Sequence, residues 1–459
     1  MNQLQPGLSF GQKAGWGLAD MGIVVFVIVK QLLVMAFLTT YLGVPVQLAG
    51  AVTTLVLIFD MVTDPLIGYL SDRTSTRWGR RAPWMALGAV VLAGGTIGLF
   101  GVPLGLSTMG NLLWVTAFFV LATVGFTMVA IPYGAMAGEI TQSPQERSAM
   151  TGYRMAFASI GILLGGAIIP LLAGGTREGH LQAAIMVAPV IVLAIWVSIW
   201  ATREAPRVQT PSTQSFWTMA NMVFSNAPFM VLVVLYGVMT MAIALITAGL
   251  PFAALYLIMD SGDTMLSGAA NALTVLSLMF ACFVLGSILS QAVWVWISAR
   301  LGKLGALVLG LGLYMILLCA LYTMMPSVNV TAMAGMFVLA GMTNGAYQQI
   351  PWAMYPDLMD VTRKATGEAI EGAFSAIWLF GQKAANALAP LVLGAILGTY
   401  GWQETTEGKI DQLPEAISAL HVSITLLPAA VLGLAIAGLV LVYRRSLANA
   451  DSTSLAKQQ

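Results

Sequence analysis

Charge is what this chain lacks. Only 8% of its 459 residues are Asp, Glu, Lys or Arg, where a soluble globular protein carries roughly 25%. So few charges cannot coat water-exposed domains, which argues against a soluble enzyme and against a disordered scaffold. The net charge of +1 offers no basic surface to nucleic acid. Cysteine and histidine are also scarce. Cys282 and Cys319 lie inside apolar runs, with neither metal spacing nor a disulfide framework. His180 and His421 are too few for a zinc or haem site of their own. No cofactor is expected. Alternating apolar and polar strands are missing too, which removes a β-barrel. What abounds is apolar sequence, 58% of the chain, arranged in long runs.

A spanning helix needs about 20 mostly apolar residues. Twelve such runs occur, at 16–42, 47–71, 83–104, 109–139, 149–173, 181–202, 226–257, 266–297, 304–325, 329–357, 369–400 and 416–443. The longest require tilt or kinks. The fold class read from them is an all-α membrane protein with twelve transmembrane helices. Lys and Arg set its orientation. Fifteen fall in segments on the side of the N-terminus, and only Arg177 and Lys409 fall opposite. Both termini are therefore expected in the cytoplasm, in a multi-pass protein of the cell (inner) membrane.

The longest polar connection, 203–225, separates six runs from six. Ile131-Pro132-Tyr133 recurs as Ile350-Pro351-Trp352, and Ala156-Phe157-Ala158-Ser159-Ile160 as Ala373-Phe374-Ser375-Ala376-Ile377. The shared order and nearly equal offsets mark an internal repeat. Two pseudo-symmetric six-helix bundles are expected, 1–202 and 226–443, joined by a cytoplasmic loop at 203–225 and followed by a cytoplasmic tail at 444–459. This is the major facilitator arrangement, with a small-molecule site between the halves at mid-membrane. Fold alone does not fix function, so a non-transporting receptor or assembly factor is the competing reading.

Ionisable groups deep in a bilayer are functional candidates by default. The second run holds Asp60 and Asp64, four apart and so on one helix face. Thr63 adds a hydroxyl, and Pro65 frees the carbonyl of Met61. Such an oxygen-rich patch suits a small hard cation or a proton; the alternative is a structural polar face. Lys383 and Lys30 also lie mid-span, Lys30 followed by Gln31. Lys383 is expected to meet a substrate anion or to pair with Asp60 or Asp64. Lys30 is expected to face the cavity and contact an anionic substrate group. Arg154 lies nearer its helix end, where it faces the cavity or snorkels. Three bases then exceed the two mid-span acids. Asp20 reads as a helix-end or gate residue.

Pro132 and Pro351 break two runs at matching positions, and kinks at matched positions point to a cavity. Thr127 lies beside the first. Beside the second, Asn344, Tyr347, Gln348, Gln349 and Trp352 offer hydrogen bonds and a stacking face, and read as cavity lining. Gating is expected from breakable ion pairs at the inward mouth. Asp72, Arg73, Arg77, Arg80 and Arg81 would supply one side, with Glu139, Asp357 and the neighbourhood of Asp360, Arg363 and Glu368 as the other.

Three blocks carry a resemblance. FDMVTDPLIGYLSDRTSTRWGRRAPW, VAIPYGAMAGEITQSPQERSAMTGYRMAF and YPDLMDVTRKATGEAIEGAFSAIWLFGQKAANALAP resemble the corresponding regions of the glycoside–pentoside–hexuronide:cation symporters. The resemblance runs over most of the chain. It implies Na⁺ or H⁺ symport by alternating access, with the cation site at Asp60, Thr63, Asp64 and Thr127. It also places the family's span 11 lysine at Lys383 and its span 5 arginine at Arg154. The positions that clamp a galactoside in melibiose permease hold Val24, Ala130 and Gly134 instead, so that sugar clamp is missing. The expected substrate is an anionic glycoside, a uronide or an organic acid. The alternative is a lysolipid-like amphiphile, which the 27 methionines would accommodate. The expected partners are that small molecule, the coupling cation and the lipid bilayer, and the protein is expected to be a monomer.

Overall fold

The computed structural model of the protein describes residues 7–141, 143–205, 221–366 and 371–448. Among the described residues the secondary structure is helical, with one isolated bridge between Ile258 and Ser327. Two compact units emerge. The first comprises Met1–Pro211 with Gln403–Asp411, the second Ser212–Trp402 with Gln412–Gln459.

The first unit holds α1 (Phe10–Leu32), α2 (Val34–Tyr41), α3 (Val46–Arg73), α4 (Ala82–Phe100), α5 (Thr108–Ile140), α6 (Pro144–Leu163), α7 (Ile169–Ala173) and α8 (Arg177–Ala201). The Ser9 hydroxyl and the Gln12 side chain start α1 with a reciprocal capping box. Ser107 caps α5 in the simpler way, through the Gly110 N–H. On α3, Leu55, Ile58, Val62 and Leu66 form an exposed apolar stripe, while Thr53, Val56, Leu57, Asp60 and Ile67 are buried. The spacing of three and four residues puts that stripe along one side of the helix and Asp60 on the other. α1 packs on α6 and α8, and α5 on α3 and α4. The stretch 403–411 belongs here through its backbone: Gly43 N–H donates to Thr405 O at 3.1 Å, and Thr405 N–H to Thr39 O at 3.0 Å. Glu404 Oε1 accepts from the first amide of α3, Val46 N–H, at 3.1 Å. A carboxylate there meets the positive end of the helix dipole.

The second unit holds α9 (Ala227–Tyr256), α10 (Ser267–Leu273), α11 (Val275–Met324), α12 (Val330–Thr366), α13 (Glu371–Thr399), α14 (Pro414–Ile424) and α15 (Leu426–Gly438). α11 runs for 50 residues and turns at Gly302, whose φ of 73° and ψ of 161° only glycine adopts readily. Its two arms correspond to the separate runs at 266–297 and 304–325. α11 and α12 meet backbone to backbone: a Cβ on Gly286 would lie 1.9 Å from Val338 O, and one on Gly341 1.9 Å from Phe283 O. Small residues let membrane helices approach this closely.

Ten helical segments among the described residues are long and apolar enough to cross a membrane. α12 is not one of them, because Thr343, Asn344, Gln348 and Gln349 dilute its apolar surface. Of these, Gln348 belongs to the site described next.

Candidate transport site

In the first unit, α3 places Asp60 between α1 and α5. Lys30 Nζ donates to Asp60 Oδ2 at 3.1 Å, and Thr127 Oγ1 donates to Oδ1 at 2.9 Å. Asp60 is 1% exposed and Lys30 5%. The ammonium also lies 4.3 Å from the ring centre of Phe126 and 5.7 Å from that of Phe26, within cation–π range. Gln31 follows Lys30 on α1 and is half-buried. Thr63 bonds back along its own helix, to Phe59 O and Asp60 O, both at 3.1 Å. Asp64 stands one turn beyond Asp60 and is half-buried. Pro65 follows it inside α3 and cannot donate to Met61 O. Asp60, Asp64, the Thr127 and Thr63 hydroxyls and that carbonyl are the oxygens a coupling cation could use.

A second ion pair lies on the same unit. Arg154 Nε donates to Asp20 Oδ2 at 3.1 Å, with Asp20 buried and Arg154 39% exposed at its side chain. The guanidinium sits 5.6 Å from the Tyr133 ring centre, and Tyr133 stacks on Trp16 at 4.7 Å. Tyr133 follows Pro132 inside α5. Pairing with Asp20 changes the charge count read from the sequence, which left Asp20 out because it lies near a helix end. The surplus of base expected near the cavity is smaller by one.

Toward one end of α3, α4 and α5, four charged groups interlock. Glu139 Oε1 accepts from Arg80 Nη2 at 2.6 Å and from Arg81 Nε at 3.0 Å. Arg81 also reaches Asp72 Oδ1 at 2.5 Å and Ser71 Oγ at 2.7 Å. Arg73 lies over Tyr69 at 4.1 Å, and Arg77 near Trp78 at 5.8 Å. In the second unit, Asp357 pairs with Lys303 Nζ at 2.5 Å. The Arg80, Arg81, Asp72 and Glu139 contacts lie within one unit, so they brace that unit. Lys303 was not singled out from sequence. Arg363 and Glu368 lie outside the residues whose side chains are described.

The second unit gathers aromatic rings instead. Trp352 Nε1 donates to the Tyr236 hydroxyl at 3.0 Å, and Gln382 Nε2 donates to the same oxygen at 3.1 Å. The Tyr236 ring stacks on Trp378 at 4.3 Å, and Tyr355 stacks on the same indole at 5.0 Å. The Tyr347 and Thr240 hydroxyls share a hydrogen bond of 2.8 Å. Gln348 Oε1 accepts from Ser287 at 3.2 Å. Trp352 is 39% exposed, the most open ring of the cluster. Lys383 follows Gln382 on α13 and is half-buried. The expected Tyr347, Gln348 and Trp352 thus lie together on α12. Their partners Tyr236, Thr240, Trp378 and Gln382 were not anticipated. Tyr236 and Thr240 at i and i+4, and Trp378 and Gln382 likewise, were the available signal.

The family model described as MFS/sugar transport protein matches residues 15–449. The inner membrane symporter YicJ of Escherichia coli (strain K12) is 24% identical, over 92% of this chain and 89% of its own. The sodium-dependent lysophosphatidylcholine symporter 1 of Xenopus tropicalis is 25% identical, over 78% of this chain and 73% of its own. Among solved structures, an inward-facing, unoccupied bacterial homolog of the human lysosomal transporter Spinster superposes with a TM-score of 0.66 at 15% identity. It covers 95% of this chain and 96% of its own.

Proposed function

This chain belongs to the MFS/sugar transport protein family, a family of membrane transporters and not of enzymes, and on that premise we propose that it is a cation-coupled symporter. It carries a small molecule inward together with Na⁺ or H⁺ by alternating access, in the cell membrane, with both termini cytoplasmic. The observation that carries the reading is the buried Asp60 carboxylate, engaged from two other helices by Lys30 and Thr127. A charge held in hydrocarbon is costly, which makes such a group a functional candidate by default. The cation acts at Asp60 and Asp64, and the substrate is recognised in part by the rings around Trp352.

The substrate proposed is an anionic glycoside or uronide, with an organic acid as the simpler variant. An exposed indole with amide and hydroxyl groups beside it suits a sugar ring. Lys383 on α13 is a basic group proposed for its carboxylate. The lysolipid reading stands second, favoured by the 25% identical lysophosphatidylcholine symporter. Uptake into vesicles of a labelled uronide and of a labelled lysolipid, each with an imposed sodium or proton gradient, tests both. Accumulation that either gradient drives, and that Asp60→Asn and Asp64→Asn each abolish, supports symport. Full gradient-driven accumulation in both variants overturns it.

A further inference from the structure

The ammonium of Lys30 sits where a coupling cation would first be sought. It takes one oxygen of Asp60 at 3.1 Å, while the Thr127 hydroxyl takes the other at 2.9 Å. The remaining surroundings of Nζ include two aromatic faces, Phe126 at 4.3 Å and Phe26 at 5.7 Å. Ring faces attract an ammonium. They supply none of the oxygen ligands that a hard metal cation requires to replace its water. Lys30 lies in the last turn of α1, close before α2 begins at Val34, and is nearly fully buried, so its charge cannot withdraw to water by swinging outward.

We propose that Lys30 is a tethered cation that excludes sodium and other alkali ions from Asp60, and so narrows the coupling ion of this carrier from Na⁺ or H⁺ to H⁺. The inference rests on the symport reading for its meaning, but on the Lys30–Asp60 geometry for its content. Two positive charges a few ångströms apart in a low-dielectric interior repel strongly. An alkali ion at Asp60 would have to displace an ammonium held by a carboxylate and two rings. Removing the ammonium leaves a buried carboxylate with a deficit of one positive charge. A small cation from solution can supply it.

The test uses the full-length protein in detergent and needs only sodium. Sodium binding is measured by titration calorimetry, and thermal unfolding is compared in sodium chloride and choline chloride. The wild type should show no saturable sodium heat and the same midpoint in both salts. Lys30→Met should gain saturable sodium binding and a midpoint raised in sodium over choline. Lys30→Arg, which keeps the charge, should behave as the wild type. Adding Asp60→Asn to Lys30→Met should abolish the gained binding. Where Lys30→Met is recovered from membranes in sodium but not in choline, that rescue is itself the expected result. Failure in both salts counts against the proposal, as does a folded Lys30→Met that binds no sodium. Saturable sodium binding by the wild type overturns it. A carrier that neither gradient drives would defeat the symport reading while leaving the binding result to stand or fall alone.

Discussion

The two units hold opposite chemistry. The first unit buries ion pairs, Lys30 with Asp60 and Arg154 with Asp20. The second gathers Tyr236, Trp352, Tyr355 and Trp378, with Tyr236 and Tyr355 stacked on Trp378 and Trp352 donating to the Tyr236 hydroxyl. The residue after the repeated proline shows the divergence: Tyr133 lies against Trp16 and an arginine, Trp352 against Tyr236. A charged interior can respond to an ion. An aromatic one offers flat surfaces and directed hydrogen bonds with little electrostatic cost. On the proposed function this contrast is a division of labour, with coupling in the first unit and recognition weighted to the second.

The sharpest way to break that comparison is at Asp60. Asp60→Asn strands a buried lysine charge, which costs about 3–5 kcal/mol. Gradient-driven accumulation should vanish and the thermal midpoint should fall. An Asn variant as stable as the wild type would show that the pair is not buried as described. Glu139→Gln comes next. It leaves Arg80 and Arg81 without the carboxylate they share, at a cost of about 2–3 kcal/mol. It should lower stability with little change in substrate affinity, because the cluster braces one unit.

Trp352→Ala tests the aromatic half. Loss of a stacking face is worth about 0.5–1.5 kcal/mol, so transport KM should rise by up to about tenfold while accumulation still occurs. A variant that loses coupling instead would erase the proposed division. Lys383→Gln sharpens it: a uronide should lose affinity while its amide or ester does not. The smallest effect is expected at Arg73 and Arg77. Their ring contacts are exposed and worth about 0.5–1 kcal/mol each. Spin-label distances across the inward mouth should shift only slightly in the double Ala variant.

Much of this is legible along the chain alone. Twenty-residue apolar periods and the scarcity of charge identify an all-helical membrane protein. Asp60, Thr127 and Lys30 are each conspicuous, because a polar residue in a spanning run stands out. The aromatic cluster is half visible. Trp352 and Tyr347 lie near Pro351, but Tyr236 and Trp378 look like ordinary apolar residues on distant helices. Glu139 is a candidate partner for the arginines, yet its attachment to both Arg80 and Arg81 is a choice among several carboxylates that spacing does not make.

The sequence by itself determined which residues share a face within one helix, since 3.6 residues per turn is a local rule. Asp60 and Asp64 were therefore neighbours from the start. Which base meets which acid was decided only by tertiary structure. Lys30 joins Asp60 across 30 positions and Arg154 joins Asp20 across 134. Such pairings depend on how α1 is rotated and shifted against α3 and α6. That rotation is set by the summed packing of many small contacts, and no spacing along the chain encodes it.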